Sequence, residues 1–278
     1  MPYRLSFAVA FFTLLFCACK KTNFAVPGSM RLKSIESGKD SVFYTKFTYD
    51  SQDLLTEMAD STSQGYVRKT VITYNSQNKP IKFTSFQTAG NPLTLTDSLV
   101  YSSNGQVIEK IKGHYYTGPF KVNNMYAYDA KGRLIADTLY AYVFINNDYV
   151  YMLTNYSKYS YDINDNITQV QEFSNTGSVL IETSRIDITY DRYPNPFKSI
   201  GPFVYFMENS NNYMSIGHFY LLSANNMLTL KVHYLNNSVR DNGTTYKYDY
   251  KNGKMETVTI QGETVNSSYT SFVKLFYE

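Results

Sequence analysis

Apolar and polar positions alternate in short runs down most of this chain, and one run keeps returning. It reads as a large apolar residue, a small or polar one, a tyrosine, then Asp, Asn or Ser opening a polar turn. The clear copies are Phe47-Thr48-Tyr49-Asp50, Tyr126-Ala127-Tyr128-Asp129, Tyr159-Ser160-Tyr161-Asp162, Ile188-Thr189-Tyr190-Asp191 and Tyr246-Lys247-Tyr248-Asp249, with weaker ones at Ile72-Thr73-Tyr74-Asn75 and Leu99-Val100-Tyr101-Ser102. Side chains two apart share a strand face, so each copy puts two large groups on one side and a small or polar one on the other. One covered face and one wetted face are what an antiparallel sheet requires.

After each tyrosine comes a turn such as Ala130-Lys131-Gly132 or Asn164-Asp165-Asn166. Gly and Asn tolerate the positive φ of hairpin turns, and an Asp side chain bonds its own backbone two residues on. Return strands then open on apolar residues, at Leu134, Ile167 and Met255. In the return strand from Leu134 both faces carry apolar residues, Leu139, Ala141 and Val143 against Tyr140 and Tyr142, so both are expected to be partly covered. Successive pattern tyrosines from Tyr49 to Tyr190 are 25, 27, 27, 33 and 29 residues apart. Such a spacing holds two strands of about ten residues and two turns. Tandem copies of one hairpin predict an all-β fold, an antiparallel meander that curls into a strongly curved sheet, half-barrel or barrel with its aromatic face inward. Closure also hides the edge strands.

One stretch breaks the rhythm. From about 192 to 226 the chain holds Pro194, Pro196, Gly201-Pro202, Asn209, Asn211, Asn212 and Gly217. Proline at this density argues against a central strand. The apolar runs inside it predict a loop packed back onto the sheet, either functional or a plug over an open barrel end.

The N-terminus has the form of an export signal: Arg4, then a twelve-residue apolar core from Leu5 to Phe16. A membrane-spanning helix needs about 20 apolar residues, so this core reads as a signal rather than a span. Phe16-Cys17-Ala18-Cys19-Lys20-Lys21 resembles the bacterial lipobox, in which a small residue precedes a cysteine that is acylated and becomes the mature N-terminus. Ala18 selects Cys19 as the lipidation site; Phe16 departs from the usual leucine. The organisation expected is a signal peptide over 1–18, a lipidated flexible tether over 19–30, and a single β domain over 31–278. Lys20 is not the Asp that retains enteric lipoproteins in the inner membrane, and no acidic surface-export cluster follows it. The outer membrane is therefore the expected address, its periplasmic face ahead of the cell surface. Both cysteines lie in the signal segment, so the β domain has no disulfide.

Composition sharpens this picture only at two points. Tyr numbers 28 and Phe 18, which favours strands. Net charge is +3 with basic residues scattered singly, so the electrostatic footprint of a nucleic-acid binder is missing.

The Tyr-x-Tyr-Asp-x-x-Gly-x-Leu unit resembles the YD (Rhs-type) repeat. Together with the lipobox, Asp191-Arg192-Tyr193-Pro194-Asn195-Pro196-Phe197 and Leu222-Ser223-Ala224-Asn225-Asn226, it is similar to a group of Bacteroidetes-type envelope lipoproteins of unknown function. The resemblance covers roughly 31–278 and implies an antiparallel, strongly curved sheet. It brings no catalytic residues with it.

Candidate chemistry is thin. His114, His218 and His233 lack a spacing that brings two onto one metal. Asp50, Asp129, Asp162, Asp191 and Asp249 precede turns, where capping the backbone explains them better than metal binding or acid–base work. Asp162-Ile163-Asn164-Asp165-Asn166 superficially resembles a calcium loop but lacks the distal Glu. Asp40-Ser41, Asp60-Ser61, Asp97-Ser98 and Asp137-Thr138 resemble O-glycosylated Asp-Ser/Thr sites of Bacteroidetes-type envelopes, and the fold repeat explains them equally well. There is no Gly-x-Ser-x-Gly elbow and no His-Glu-x-x-His motif. No catalytic residue, metal or cofactor is expected. The first reading is an outer-membrane-anchored, non-enzymatic binding or scaffold lipoprotein that presents its aromatic face to a glycan, peptide or lipid. The alternative is a structural or assembly component that binds another envelope protein, and a glycan- or peptide-acting hydrolase comes third.

Overall fold

The computed structural model describes residues 31–38, 42–63, 65, 67–87, 93–113, 122–145, 148–177, 179–199, 222–235, 241–252, 254–263 and 268–277. The signal segment, Cys19, the 19–30 tether, Asp40-Ser41, His114, His218 and residues 200–221 of the irregular stretch lie outside them.

The described residues form sixteen strands in sequence. They are β1 (Leu32–Ser37), β2 (Phe43–Tyr49), β3 (Leu55–Thr62), β4 (Val67–Tyr74), β5 (Pro80–Gln87), β6 (Leu93–Tyr101), β7 (Val107–Lys112) and β8 (Val122–Tyr128), then β9 (Leu134–Ile145), β10 (Asp148–Tyr161), β11 (Ile167–Asn175), β12 (Leu180–Pro194), β13 (Asn225–Tyr234), β14 (Asn242–Lys251), β15 (Lys254–Glu263) and β16 (Ser268–Tyr277). Each pairs antiparallel with the next, and β16 pairs with β1 through Leu32↔Tyr277 and Ile35↔Leu275, closing a barrel without edges.

The repeat is a structural unit. Five turns are built alike, and Asp129 shows how. Its N–H donates to the Arg133 carbonyl at 3.0 Å, its carbonyl accepts from Gly132 N–H at 2.9 Å, and its Oδ1 accepts from the Lys131 and Arg133 amides, each at 2.9 Å. Gly132 has φ 81°. The turns opened by Asp50, Asn75, Ser102 and Asp162 repeat the arrangement, with Asp53, Asn78, Gly105 and Asp165 in the positive-φ position. At each the ladder slips by one residue next to the tyrosine, as in a type I turn with a G1 bulge. The last copy differs. Tyr250 rather than Tyr248 pairs with Met255, and the turn passes through Asn252 at φ 52°.

The irregular stretch is an insertion into one of these turns. Asp191 Oδ1 accepts the Asn226 N–H at 3.2 Å, the bond that Asp162 makes to Asn166, although 35 positions separate the two residues. Strand β12 runs on to Pro194, which pairs with Asn225, so strand invades both ends of the 192–226 stretch. A 3-10 turn at Pro196–Ser199 follows. Asn195 holds it, donating from its amide to the Ala224 carbonyl and from its side chain to the Ser223 carbonyl, while Oδ1 accepts the Phe197 N–H. Phe197, fully buried, joins the core.

The first residue of all seven pattern pairs is buried: Phe47, Ile72, Leu99, Tyr126, Tyr159, Ile188 and Tyr246. They share one apolar core with the return-strand residues Leu32, Leu55, Val107, Leu134, Ile167, Met227 and Met255, and the pattern tyrosines pack against it. Around this end of the barrel, inward positions alternate between a return-strand start and a tyrosine, paired as Leu55↔Tyr49, Pro80↔Tyr74, Val107↔Tyr101 and Leu134↔Tyr128.

One expectation needs correction. The outer face of β9 is not covered at its far end: Phe144 is 59% and Tyr142 37% exposed. The cause is length. β9 and β10 have 12 and 14 residues, whereas β8 pairs with β9 only as far as Tyr140 and β11 with β10 only from Asn155. Among the described residues the two strands pair beyond those points only with each other, as a two-stranded ribbon.

Candidate functional site

The repeat tyrosines were the natural candidates for ligand contact, and the structure employs them otherwise. Each hydroxyl donates to the carbonyl that opens the preceding return strand. Tyr74 reaches Leu55 at 2.7 Å, Tyr101 reaches Pro80 at 2.6 Å, and Tyr128, Tyr161 and Tyr190 reach Val107, Leu134 and Ile167, each at 2.7 Å. Tyr49 bonds Leu32 at 3.1 Å, and Tyr248 bonds Met227. These carbonyls sit where the bulge interrupts the ladder, so the phenol supplies the donor that the strand cannot. Basic side chains lie over four rings of this circle, Arg31 over Tyr49, Lys79 over Tyr101, Arg133 over Tyr161 and Lys254 over Tyr277. The result is a belt that ties successive turns together.

Burial raises the pKa of Tyr74, Tyr101, Tyr128, Tyr161, Tyr190 and Tyr246 well above the ordinary 10, and pushes Tyr277 up to about 12. For an acid whose folded pKa is raised, the stabilisation is complete below the unfolded value and is lost as pH rises through the folded one. Stability should therefore fall steeply above pH 10. In an ultraviolet titration the belt tyrosines should ionise together with loss of the strand circular dichroism signal. Smooth ionisation of every tyrosine near 10, with the strand signal intact, would contradict this.

Four of the five candidate aspartates act on the backbone, while Asp249 lies within β14 opposite Thr257. Asp50, Asp129 and Asp162 cap their own turns, and Asp191 caps across the insertion. The carboxyl groups of Asp129 and Asp162 titrate below the ordinary 3.8: partial burial opposes this, and the amide and side-chain donors of Arg133 and Asn166 outweigh it. In the calcium-like segment, Asp162 accepts three N–H groups and Asp165 pairs with Arg133 at 3.0 Å. Its carboxylates are already satisfied. His233 lies on the outer wall between Asp241, 2.7 Å from Nδ1, and Asp187, 3.3 Å from Nε2. Among the described residues no group of three or more His, Cys, Asp or Glu is arranged to hold a metal.

Three of the four Asp-Ser/Thr pairs lie within strands. Asp60, Asp97 and Asp137 sit on inward positions: Asp60 pairs with Arg68 at 2.9 Å, Asp97 accepts from the Gly113 amide, and Asp137 accepts from Asn124. They belong to a polar layer beyond the apolar core, in which Thr45, Asp60, Arg68, Thr70, Lys110 and Ser184 are all buried. At this level the interior is filled by these side chains and their hydrogen bonds.

The wall has the opposite polarity. Outward positions carry Lys33, Lys46, Thr48, Lys69, Thr73 and Lys247, all exposed. A lipid-spanning barrel has an apolar outer band and a polar lumen. This barrel instead has an apolar core, and lysine and threonine recur on its outer wall. Apolar side chains also stand exposed on that wall, Tyr44, Phe86, Met125 and Phe276 among them, and they gather on the β9–β10 ribbon, which the sequence did not single out. There Tyr140 stacks with Tyr151 at 5.9 Å, Tyr142 meets Tyr151 at 5.0 Å, and Phe144 meets Tyr149 at 5.0 Å on the outer face.

No protein-family model matches the chain, and no curated protein matches it. Among solved structures it is similar to a porin-like protein from Bacteroides uniformis, with TM-score 0.56 and 12% identity over 89% of this chain and 96% of that one. A porin-like protein from Bacteroides vulgatus gives TM-score 0.53 and 12% identity over 89% and 98%. Likeness at this identity is one of fold, a large antiparallel barrel, and such a barrel is compatible with an outer-membrane location.

Proposed function

We propose that this chain is a non-enzymatic barrel lipoprotein of the outer membrane, anchored by acyl groups on Cys19 and serving as a scaffold of the envelope. The observation that carries the reading is the polarity of the barrel. Lysine and threonine stand on the wall among scattered apolar side chains such as Tyr44, Phe86, Met125 and Phe276, an arrangement short of the continuous apolar belt of a lipid-spanning barrel, and this favours attachment by other means. The lipobox-like Phe16-Cys17-Ala18-Cys19 supplies an anchor, since two or more acyl chains hold a protein stably to a bilayer. The YD-like repeat fits a scaffold role, because its tyrosines and aspartates are taken up by the architecture. Binding through the repeat tyrosines loses its motive for the same reason. The periplasmic face remains the preferred side, on the identity of Lys20.

Metabolic labelling with palmitate followed by membrane fractionation tests the anchor. The native chain should incorporate label and sediment with outer membrane, and Cys19→Ser should abolish incorporation. Labelling that persists in Cys19→Ser and disappears in Cys17→Ser would move the site; no labelling in any form would remove the anchor.

A further inference from the structure

Four consecutive strands bring a row of polar side chains to one level of the barrel interior, just beyond the apolar core. The register places them: Asp97 on β6, Lys110 on β7, Asn124 on β8 and Asp137 on β9 all take inward positions. Lys110 stands directly opposite the core residue Leu99 on one side and Asn124 on the other. Only 3% of Lys110 is exposed. Its Nζ lies 3.9 Å from Asp97 Oδ2, and Asn124 Nδ2 donates to Asp137 Oδ1 at 2.9 Å. Asn124 Oδ1 is buried and has no hydrogen-bond donor among the described residues.

A buried amine beside a carboxamide, with a carboxylate on each side, has the groups needed to make an amide bond. We propose that Lys110 and Asn124 form an intramolecular isopeptide bond that staples β7 to β8. The Lys110 ammonium gives a proton to Asp97, and the neutral Nζ attacks Cγ of Asn124. The Nζ–Cγ bond forms and the Cγ–Nδ2 bond breaks. Asp137, hydrogen-bonded to the leaving nitrogen, passes a proton to it from the attacking one. Ammonia departs and takes up the proton held by Asp97. A lysine ammonium and a primary amide thus become a secondary amide and an ammonium ion, with no oxidant and no co-reactant.

Three observations favour a bond over a plain charge network. Directly opposed residues of an antiparallel pair have Cβ atoms about 4.5–5.5 Å apart, within reach of a lysine side chain, so Nζ can meet the amide without backbone movement. The fold also holds both reactants in one place, which turns a slow encounter into a step within one molecule. Finally, buried polar atoms seldom go without a partner, so the unmatched Oδ1 marks Asn124 as a residue that hydrogen bonding alone does not account for. The β domain contains no cysteine, and this bond would restrict its unfolded chain as a disulfide does. The inference stands independently of the lipid anchor and of the scaffold reading.

Peptide mass mapping of the full chain, purified from cells and digested with trypsin, tests the bond. The expected product joins the peptide that runs through an uncleaved Lys110 to the peptide that begins at Val122 and contains Asn124. Its mass should lie one ammonia below the sum of the two, and fragmentation should place the link at Lys110 and Asn124. Lys110→Arg and Asn124→Ala should each abolish it and restore the separate peptides. Asp97→Asn should leave most chains unlinked, with both reactants still present; full linkage there overturns the proposed proton transfer. The native chain decides the main question whether or not the variants fold. Complete cleavage after Lys110, with the Asn124 peptide at its full mass, overturns the proposal. So does an ammonia loss confined to one peptide, as from succinimide closure at Asn104-Gly105, and so does a link that persists in Asn124→Ala.

Discussion

Arg68→Ala is expected to destabilise the barrel by about 3–5 kcal/mol, the cost of stranding a buried carboxylate. Asp60 and Arg68 are directly paired across β3 and β4, and both are almost wholly buried. Arg68 Nη2 lies 2.9 Å and Nε 3.3 Å from Asp60 Oδ2, while Thr45 Oγ1 donates to Oδ1 at 2.9 Å. With the guanidinium gone, Oδ2 loses both donors and stays in a place from which water is shut out. The double substitution Asp60→Leu/Arg68→Met should recover most of the loss, because two apolar groups of similar bulk need no partner there. Equilibrium urea unfolding followed by circular dichroism measures both. A single-variant cost below about 1 kcal/mol would match the value of a solvated pair. It would mean that the far half of the barrel is wet, and with that the case against an aqueous lumen would fail.

What could be read from the sequence, and what could not, divides along a physical line. Local chemistry was legible. The alternation around Phe47 and Tyr49 assigned those rings to one face, and Asp50, Asp129 and Asp162 announced turns because a short carboxylate there caps the next amides. The resulting antiparallel hairpin meander is what the structure shows. Closure was not legible, because the pairing Leu32↔Tyr277 joins the two ends of the described chain and leaves no local trace. The insertion is similar. Asp191 and Asn226 stand to each other as Asp162 and Asn166 do, but only the fold brings the separated halves of that turn together. Periodicity also says which residues share a face without saying what that face meets. Tyr140, Tyr142 and Phe144 alternate as cleanly as core residues, yet they stand outward on a ribbon longer than its neighbours. Parity gave a usable signal for the buried charges: Asp60 lies two positions from Met58 and Arg68 four from Ile72, so both share the core face.

Tyr161 is where the belt can be interrupted with the clearest reading. Its ring lies against the core, its hydroxyl bonds the Leu134 carbonyl at 2.7 Å, and Arg133 sits over its face with Cζ 4.6 Å from the centroid. Arg133 is held there by Asp129 and Asp165, so one ring joins the turn before β9 to the turn after β10. Tyr161→Phe keeps the ring and the cation contact and leaves the carbonyl without its donor, which should cost about 1–2 kcal/mol. Tyr161→Ala also opens a cavity in the core, and about 3–5 kcal/mol is expected. The difference between the two measures packing, and the first alone measures the belt's hydrogen bond. Distance then tests whether the belt acts as a unit. Tyr161→Phe combined with Tyr190→Phe, on the neighbouring hairpin, should depart from additivity, whereas Tyr161→Phe combined with Tyr49→Phe should add within about 0.5 kcal/mol. Additive losses for both pairs would reduce the belt to independent bonds. Coupling between neighbours would show that each turn is set by the one before it, which is how a repeat of hairpins becomes a single closed ring.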